Sequence, residues 1–291
     1  MQLGLHALGI GTGAERAVID AVAVAAERSG FATLWSGEHV VMVDQPTSRY
    51  PYAEDGRIAV PAVADWLDPM IGLAFAAAAT TTIGIATGVL LLPEHNPLLA
   101  AKQAATLDKL SGGRLTLGVG IGWSRDEFDA LGVPYPRRGQ RTAEYVDAMR
   151  RLWSEDVASY RGDFVSFSSV RVNPKPVRDR RIPVVVGGNS EAALSRVAAW
   201  GDGWYGFNLD DVEQVARCTA HLRSRCRSAG RDPDDLHLAV ALRDPRPADV
   251  AGLTAAGIDE LVLVREPPAD HRLVDPWVDE LARTWLPVVS G

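Results

Sequence analysis

Residues 83–123 read IGIATGVLLLPEHNPLLAAKQAATLDKLSGGRLTLGVGIGW, and their punctuation decides the fold. The run from Ile83 to Leu91 is apolar apart from Thr87, the pattern of a strand buried on both faces. Asn96-Pro97 then supplies an N-cap and a proline at the first helical position, where the missing N–H costs nothing. A helix runs to about Leu110, Ser111-Gly112-Gly113 turns the chain, and Arg114 to Val119 forms the next strand. A strand, a crossover helix and a second strand in one short stretch make the repeating unit of a parallel sheet.

The alternation continues in both directions. Upstream, Gln2 to Leu8 is a strand, Ala14 to Ser29 a helix stopped by Gly30, and Ala32 to Ser36 a second strand. Asp68-Pro69 repeats the cap-and-proline opening for the helix before Ile83. Downstream, Gly139 to Trp153 is a helix with Thr142, Val146, Met149 and Trp153 on one stripe. Strands five to eight are Ile182–Val186, Gly203–Phe207, Leu236–Leu242 and Asp259–Val264. The helices after them are Ser190–Trp200, Asp211–Ala229, Pro247–Ala256 and Pro276–Trp285. Eight strand–helix units predict an α/β fold, a single (β/α)8 TIM-like barrel spanning residues 1–291. That length is close to the roughly 250 residues typical of such barrels.

Two insertions interrupt the pattern. Val40 to Ala64, after the second strand, carries Tyr50, Tyr52, Glu54 and Asp55. It leaves a strand's C-terminal end, the catalytic face of a barrel, and is the candidate for substrate selection. Ser154 to Arg181, before the fifth strand, contains an alternating run from Tyr160 to Val172 and starts at the opposite end of the barrel.

Composition narrows the function. A net charge of -7 argues against a nucleic-acid partner, because phosphate backbones need a clustered positive field. The most apolar stretch, Ile71 to Leu92, is broken by Thr80-Thr81-Thr82 and Gly84, and divides into a helix and a strand rather than a membrane span. Cys218 and Cys226 are eight residues apart on one helix, so about 12 Å separates them and both are expected as free thiols. With no secretory leader pattern at the N-terminus, the expectation is a cytoplasmic protein acting on a small molecule, with a homodimer as the expected assembly.

Candidate site residues fall at strand ends. Gly118-Val119-Gly120-Ile121-Gly122-Trp123 follows the fourth strand, with glycines that let backbone approach a ring or a phosphate, or simply bend at the rim. Gly187-Gly188-Asn189-Ser190 ends the fifth strand and opens a helix, whose free N–H groups suit an anion as readily as a plain Ser190 cap. Ser36-Gly37-Glu38-His39 ends the second strand and places two titratable groups at the catalytic rim. His6 and His95 rank below them, and Glu38 with His39 alone cannot make a metal site, so none is expected. The basic run Pro136-Arg137-Arg138-Gly139-Gln140-Arg141 either holds an anionic tail or, more plainly, is a solvated helix start with an Arg141–Glu144 pair. Trp204 and Tyr205 read as core. Lys102, Lys109 and Lys175 lie off the strand ends, which removes the lysine an aldolase needs.

Taken together these residues resemble the bacterial-luciferase-like oxidoreductases, and among them the branch that uses the deazaflavin coenzyme F420. The likeness lies in Leu34-Trp35-Ser36-Gly37-Glu38-His39, Thr87 to Pro93 (TGVLLLP), Ser111 to Leu115 (SGGRL) and Gly118 to Leu131 (GVGIGWSRDEFDAL). It continues in Val172-Asn173-Pro174-Lys175-Pro176, Val185 to Ser190 (VVGGNS) and Gly201-Asp202-Gly203-Trp204. The resemblance implies a ring cofactor at the strand C-termini, supported by a cis peptide at Gly88-Val89 and bounded by Gly120, Gly122 and Trp123. It also implies that Gly187, Gly188, Asn189 and Ser190 hold the phosphate, with His39 and Glu38 as catalytic groups. The implied activity is hydride transfer between F420 and an organic substrate. The alternatives are an FMN-dependent monooxygenase and a non-catalytic flavin-binding protein. A sugar-phosphate-oxidising branch carries a glutamate near the position of Trp123, so that acid role does not transfer to this chain.

Overall fold

The computed structural model describes residues 1–290. Eight parallel strands close into a barrel: β1 (Gln2–His6), β2 (Thr33–Ser36), β3 (Gly84–Thr87), β4 (Leu115–Val119), then β7 (Val184–Gly187), β8 (Gly203–Leu209), β9 (His237–Leu242) and β10 (Glu260–Val264). Strands β5 (Ala158–Arg161) and β6 (Ser166–Val170) form a separate antiparallel hairpin. The long helices are α1 (Arg16–Ser29), α2 (Pro69–Ala79), α3 (Pro97–Ser111), α5 (Arg138–Ser154), α6 (Glu191–Trp200), α7 (Val212–Ser228) and α9 (Val274–Val289), with shorter α4 (Arg125–Ala130) and α8 (Val250–Ala255). No helix among the described residues is long and apolar enough to cross a membrane.

Strand periodicity explains the layering. Alternate strand residues face outward to the helices, as with Leu34, Ile85, Val184, Val186, Leu261 and Leu263, and join the main apolar core. Their neighbours Trp35, Ala86, Val185, Tyr205, Ala239 and Val262 fill the barrel interior. Trp35 stacks on Tyr205 at 4.5 Å and fits because its neighbours are small. A Cβ on Gly4 would meet Trp35 Nε1 at 2.9 Å and come still closer to the Glu260 carboxylate. That carboxylate is buried and accepts hydrogen bonds from Trp35 Nε1–H (2.8 Å) and His237 Nε2–H (3.1 Å).

The caps act as the sequence predicts. Asp68 accepts from the Ile71 N–H at 3.0 Å and Asn96 from that of Leu98 at 2.9 Å, each before a proline at the first helical position. Gly30 and Gly112 close their helices at φ of 92° and 73°. Such caps contribute about 1 kcal/mol each. The stripe Thr142, Val146, Met149 and Trp153 on α5 is buried, and both cysteines are free.

Two expectations need correction, and one helix went unread. The third strand ends at Thr87 rather than Leu91, because the chain turns after a cis peptide between Gly88 and Val89. Helix α4 was not legible, since six residues are too short for a periodic stripe. The Arg141–Glu144 pair does not form. Arg141 is buried and donates to the carbonyls of Pro93, Pro134 and Pro136, while Glu144 accepts the N–H groups of Asp163, Phe164 and Val165. Glu144 thereby fastens the β5–β6 turn beside the start of α5, so the second insertion climbs back from the far end of the barrel.

Candidate active site

The turn after β3 organises the barrel mouth. The Val89 side chain wedges between β4 and β7: a Cβ on Gly120 would lie 2.6 Å from its Cγ2, and one on Gly187 would lie 2.8 Å from its Cγ1. A Cβ on Gly118 would fall 2.0 Å from the Thr87 carbonyl oxygen. The glycine-rich segment therefore exists first to let three strands close around this turn. Gly122, at φ 73°, then swings the chain away towards Trp123.

Above Val89 opens a cavity of about 1020 Å³. Gly88, Val89, Gly120, Gly122, Trp123, Gly187, Gly188, Asn189 and Ser190 all line it, as do Tyr52, Tyr205 and Phe207. Asn189 uses its amide to hold β8, donating to the Phe207 carbonyl (2.7 Å) and accepting its N–H (3.2 Å). Ser190 caps α6 through the Ala193 N–H (3.2 Å). Tyr205 is buried, as expected of core, yet reaches the cavity floor, where its hydroxyl hydrogen-bonds His6 Nδ1 at 3.1 Å. Burial holds the His6 imidazole neutral, with its pKa pushed down to about 4.

His39 and Glu38 stand one layer behind this wall. His39 is flanked edge-on by Trp66 and Trp123, with ring centroids 4.8 and 5.6 Å away. Its Nδ1–H donates to Glu127 at 2.8 Å, a carboxylate that also accepts the Val40 N–H at 2.7 Å. Those bonds fix the ring and its tautomer and leave Nε2 without a protein partner among the described residues. Glu38 is not among the residues that line the cavity: its buried carboxylate accepts the Leu91 N–H (2.6 Å) and His95 Nε2–H (3.0 Å) in the segment after the cis peptide.

Sequence reading missed Asp126, Arg196 and Glu94, and named Arg138 only within the basic run 136–141, with an anionic tail as one of two readings. Asp126, on α4, accepts the N–H groups of Thr47 (3.1 Å) and Ser48 (2.8 Å), pinning the 40–64 segment. Arg138 and Arg196 line the cavity beside Gly188 to Ser190. Neither forms a salt bridge among the described residues, and Arg196 Nε is buried without any partner. Arg138 donates to the Gly122 carbonyl at 3.0 Å and lies 3.8 Å over the Tyr135 ring. Burial and then the nearby Arg138 charge lower the Arg196 pKa. Both guanidiniums, neither in a salt bridge among the described residues, thus face the cavity near the N-terminus of α6. Another carboxyl, Glu94, is buried next to Gly122 with neither oxygen hydrogen-bonded, and burial followed by the charges of Glu127 and Glu38 pushes its pKa up to about 9.

A parallel barrel with a glycine-lined cavity at the C-terminal ends of its strands is the architecture of a barrel enzyme. The family model for luciferase-like monooxygenases matches residues 4–243, and the chain belongs to that family. An uncharacterized protein of Mycobacterium tuberculosis is 36% identical over 244 residues, covering 83% of this chain and 85% of its own. The FMNH(2)-dependent dimethylsulfone monooxygenase of Pseudomonas putida is 33% identical over 156 residues, covering 53% of this chain and 42% of its own. Among solved structures, the coenzyme F420-dependent tetrahydromethanopterin reductase of Methanopyrus kandleri superposes with a TM-score of 0.75 over 98% of both chains at 16% identity, a likeness of fold.

Proposed function

We propose that this protein is an F420-dependent oxidoreductase that moves a hydride between the deazaflavin and a small organic substrate. The observation that carries the reading is the Arg138–Arg196 pair, whose uncompensated charge beside Gly188 to Ser190 suits the phosphate of a cofactor seated in the cavity. Further along the same cavity lie Arg49, with no salt bridge among the described residues, and Arg243, which is paired with Asp210 at 3.0 Å. Arg49 suits the long anionic tail that F420 has and FMN lacks.

When bound, the ring supplies the hydride chemistry; the protein supplies position and electrostatics. Val89, wedged by Gly120 and Gly187, supports one face of the slot. Arg138 and Arg196 hold the phosphate, while Trp123, Tyr52 and Phe207 narrow access for water. His39 stands behind the wall and so relays rather than touches: with its Nδ1–H held by Glu127, its Nε2 takes the substrate hydroxyl's proton through one bridging water as the hydride leaves, or returns it in the reverse direction. The resulting imidazolium lies against the Glu127 carboxylate, which stabilises it.

The relationship to the dimethylsulfone monooxygenase favours a second reading, an FMN-dependent monooxygenase on the same barrel. Paired titrations of the apo-protein with F420 and FMN, followed by Trp fluorescence, separate the two. Micromolar F420 binding with weak FMN binding, and substrate-dependent bleaching without oxygen uptake, is the expected result. Preference for FMN with oxygen consumption establishes the second reading, and binding without substrate-dependent bleaching leaves a carrier protein. Under the first reading His39→Ala slows single-turnover cofactor oxidation by about a hundredfold; an unchanged rate removes His39 from the mechanism.

A further inference from the structure

Tyr52 belongs to the 40–64 segment rather than to the barrel, yet its side chain reaches the proposed phosphate site. A Cβ built on Gly188 would lie 3.6 Å from the Tyr52 hydroxyl oxygen. The backbone carbonyl of Tyr52 accepts from Asn208 Nδ2–H at 2.9 Å and Arg243 Nη2–H at 3.4 Å, which pins the residue to the far side of the cavity mouth. Its ring stands edge-on to Phe207 and Tyr50, with centroids 5.8 and 5.4 Å away. Among the described residues its only hydrogen bonds run through that carbonyl, so the hydroxyl faces the cavity with its donor unused.

We infer that the Tyr52 hydroxyl is a third donor to the cofactor phosphate, beside Arg138 and Arg196, and that a phosphate-bearing cofactor thereby fastens the substrate-selecting segment over the cavity. The inference rests on the phosphate reading of this site. A neutral phenol suits the place: it adds a hydrogen bond to the anion without adding to the repulsion between two guanidiniums already side by side. Burial raises the Tyr52 pKa, which keeps its proton available to donate.

The consequence reaches the substrate side. Tyr50, two residues away, stands edge-on to Trp123 with centroids 5.3 Å apart, and Trp123 lines the cavity. Holding Tyr52 therefore holds Tyr50 against Trp123 and settles the wall that substrate meets. Cofactor binding then precedes productive substrate binding, and a cofactor analogue lacking phosphate leaves the segment looser even when its ring occupies the slot.

The experiment compares FMN with riboflavin, which differ by the phosphate alone, and F420 with its deazaflavin precursor, which lacks both the phosphate and the anionic tail beyond it. Dissociation constants are measured for the wild type and Tyr52→Phe, which keeps the ring and its packing. Trypsin cleavage at the exposed Arg49 and Arg57 is followed in parallel. The wild type is expected to prefer the phosphate-bearing member of at least one pair by tenfold or more. Tyr52→Phe is expected to remove about tenfold of that preference while leaving affinity for the phosphate-free member unchanged. The phosphate-bearing ligand should slow cleavage in the wild type and not in the variant. Retention of the full preference by Tyr52→Phe overturns the inference and spares the phosphate site. Equal weakening of both members also overturns it, because it shows a packing role. No preference in the wild type for either pair removes the phosphate reading itself, and this inference with it.

Discussion

Replacing Arg196 by methionine should move stability and affinity in opposite directions. The wild-type side chain is half-buried, makes no hydrogen bond or salt bridge among the described residues, and has Arg138 as a neighbour. A buried donor left unsatisfied costs about 1–3 kcal/mol, and methionine removes it while keeping most of the stem's apolar contacts. The apo-protein should therefore gain about 1 kcal/mol, which for a chain of this size corresponds to a rise of roughly 2 °C in Tm. The same substitution takes a charge-assisted contact from the phosphate, worth about 1.5–3 kcal/mol, and so weakens the phosphate-bearing cofactor about tenfold to a hundredfold. Differential scanning fluorimetry without ligand reads the first effect, and titration with F420 and FMN against their phosphate-free counterparts reads the second. An apo-protein that melts lower, with an unchanged preference for phosphate, would refute the reasoning: Arg196 would then be a structural residue with a partner.

The wedge at Val89 predicts that Gly120→Ala, whose Cβ would lie 2.6 Å from Val89 Cγ2, weakens ring binding at least tenfold, and that adding Val89→Ala restores part of it; circular dichroism separates this from misfolding. Glu260→Ala breaks a buried hydrogen-bonded group and should cost about 3–5 kcal/mol in urea unfolding, with Glu260→Gln costing less because it still accepts from Trp35. Burial lowers the His237 pKa, but the Glu260 hydrogen bond and charge outweigh it and raise the value overall. This contribution to stability is accordingly complete below the unfolded value of about 6.5 and is lost as pH rises through the folded value; urea midpoints for wild type and His237→Phe should converge towards alkaline pH. Asp126→Ala releases Thr47 and Ser48 and should speed tryptic cleavage at Arg49, raise the substrate KM severalfold and weaken the phosphate-bearing cofactor; equal cleavage rates would show that α4 does not anchor the segment.

The sequence by itself determined the barrel, because its signals are local. Asp68-Pro69, Asn96-Pro97, Gly30 and Gly112 start and stop helices through contacts within a turn, and apolar runs such as Ile83 to Leu91 mark strands wherever they lie, although β3 itself stops at Thr87. The glycine clusters at 118–122 and 187–188 were visible for the same reason, and Gly120, Gly122, Gly187 and Gly188 line the cavity. What they accommodate was decided by the tertiary structure, since the Val89 side chain that needs Gly120 and Gly187 arrives from another strand. Only closure of the barrel turned Glu38 away towards His95 and gave His39 its partner Glu127, residues far apart in the chain. Arg138 and Arg196 are unremarkable helix residues in sequence, one in a basic run and the other alone. Their meaning comes from being brought together beside Gly188, where charge repulsion and lost hydration depend on distances that no local pattern encodes.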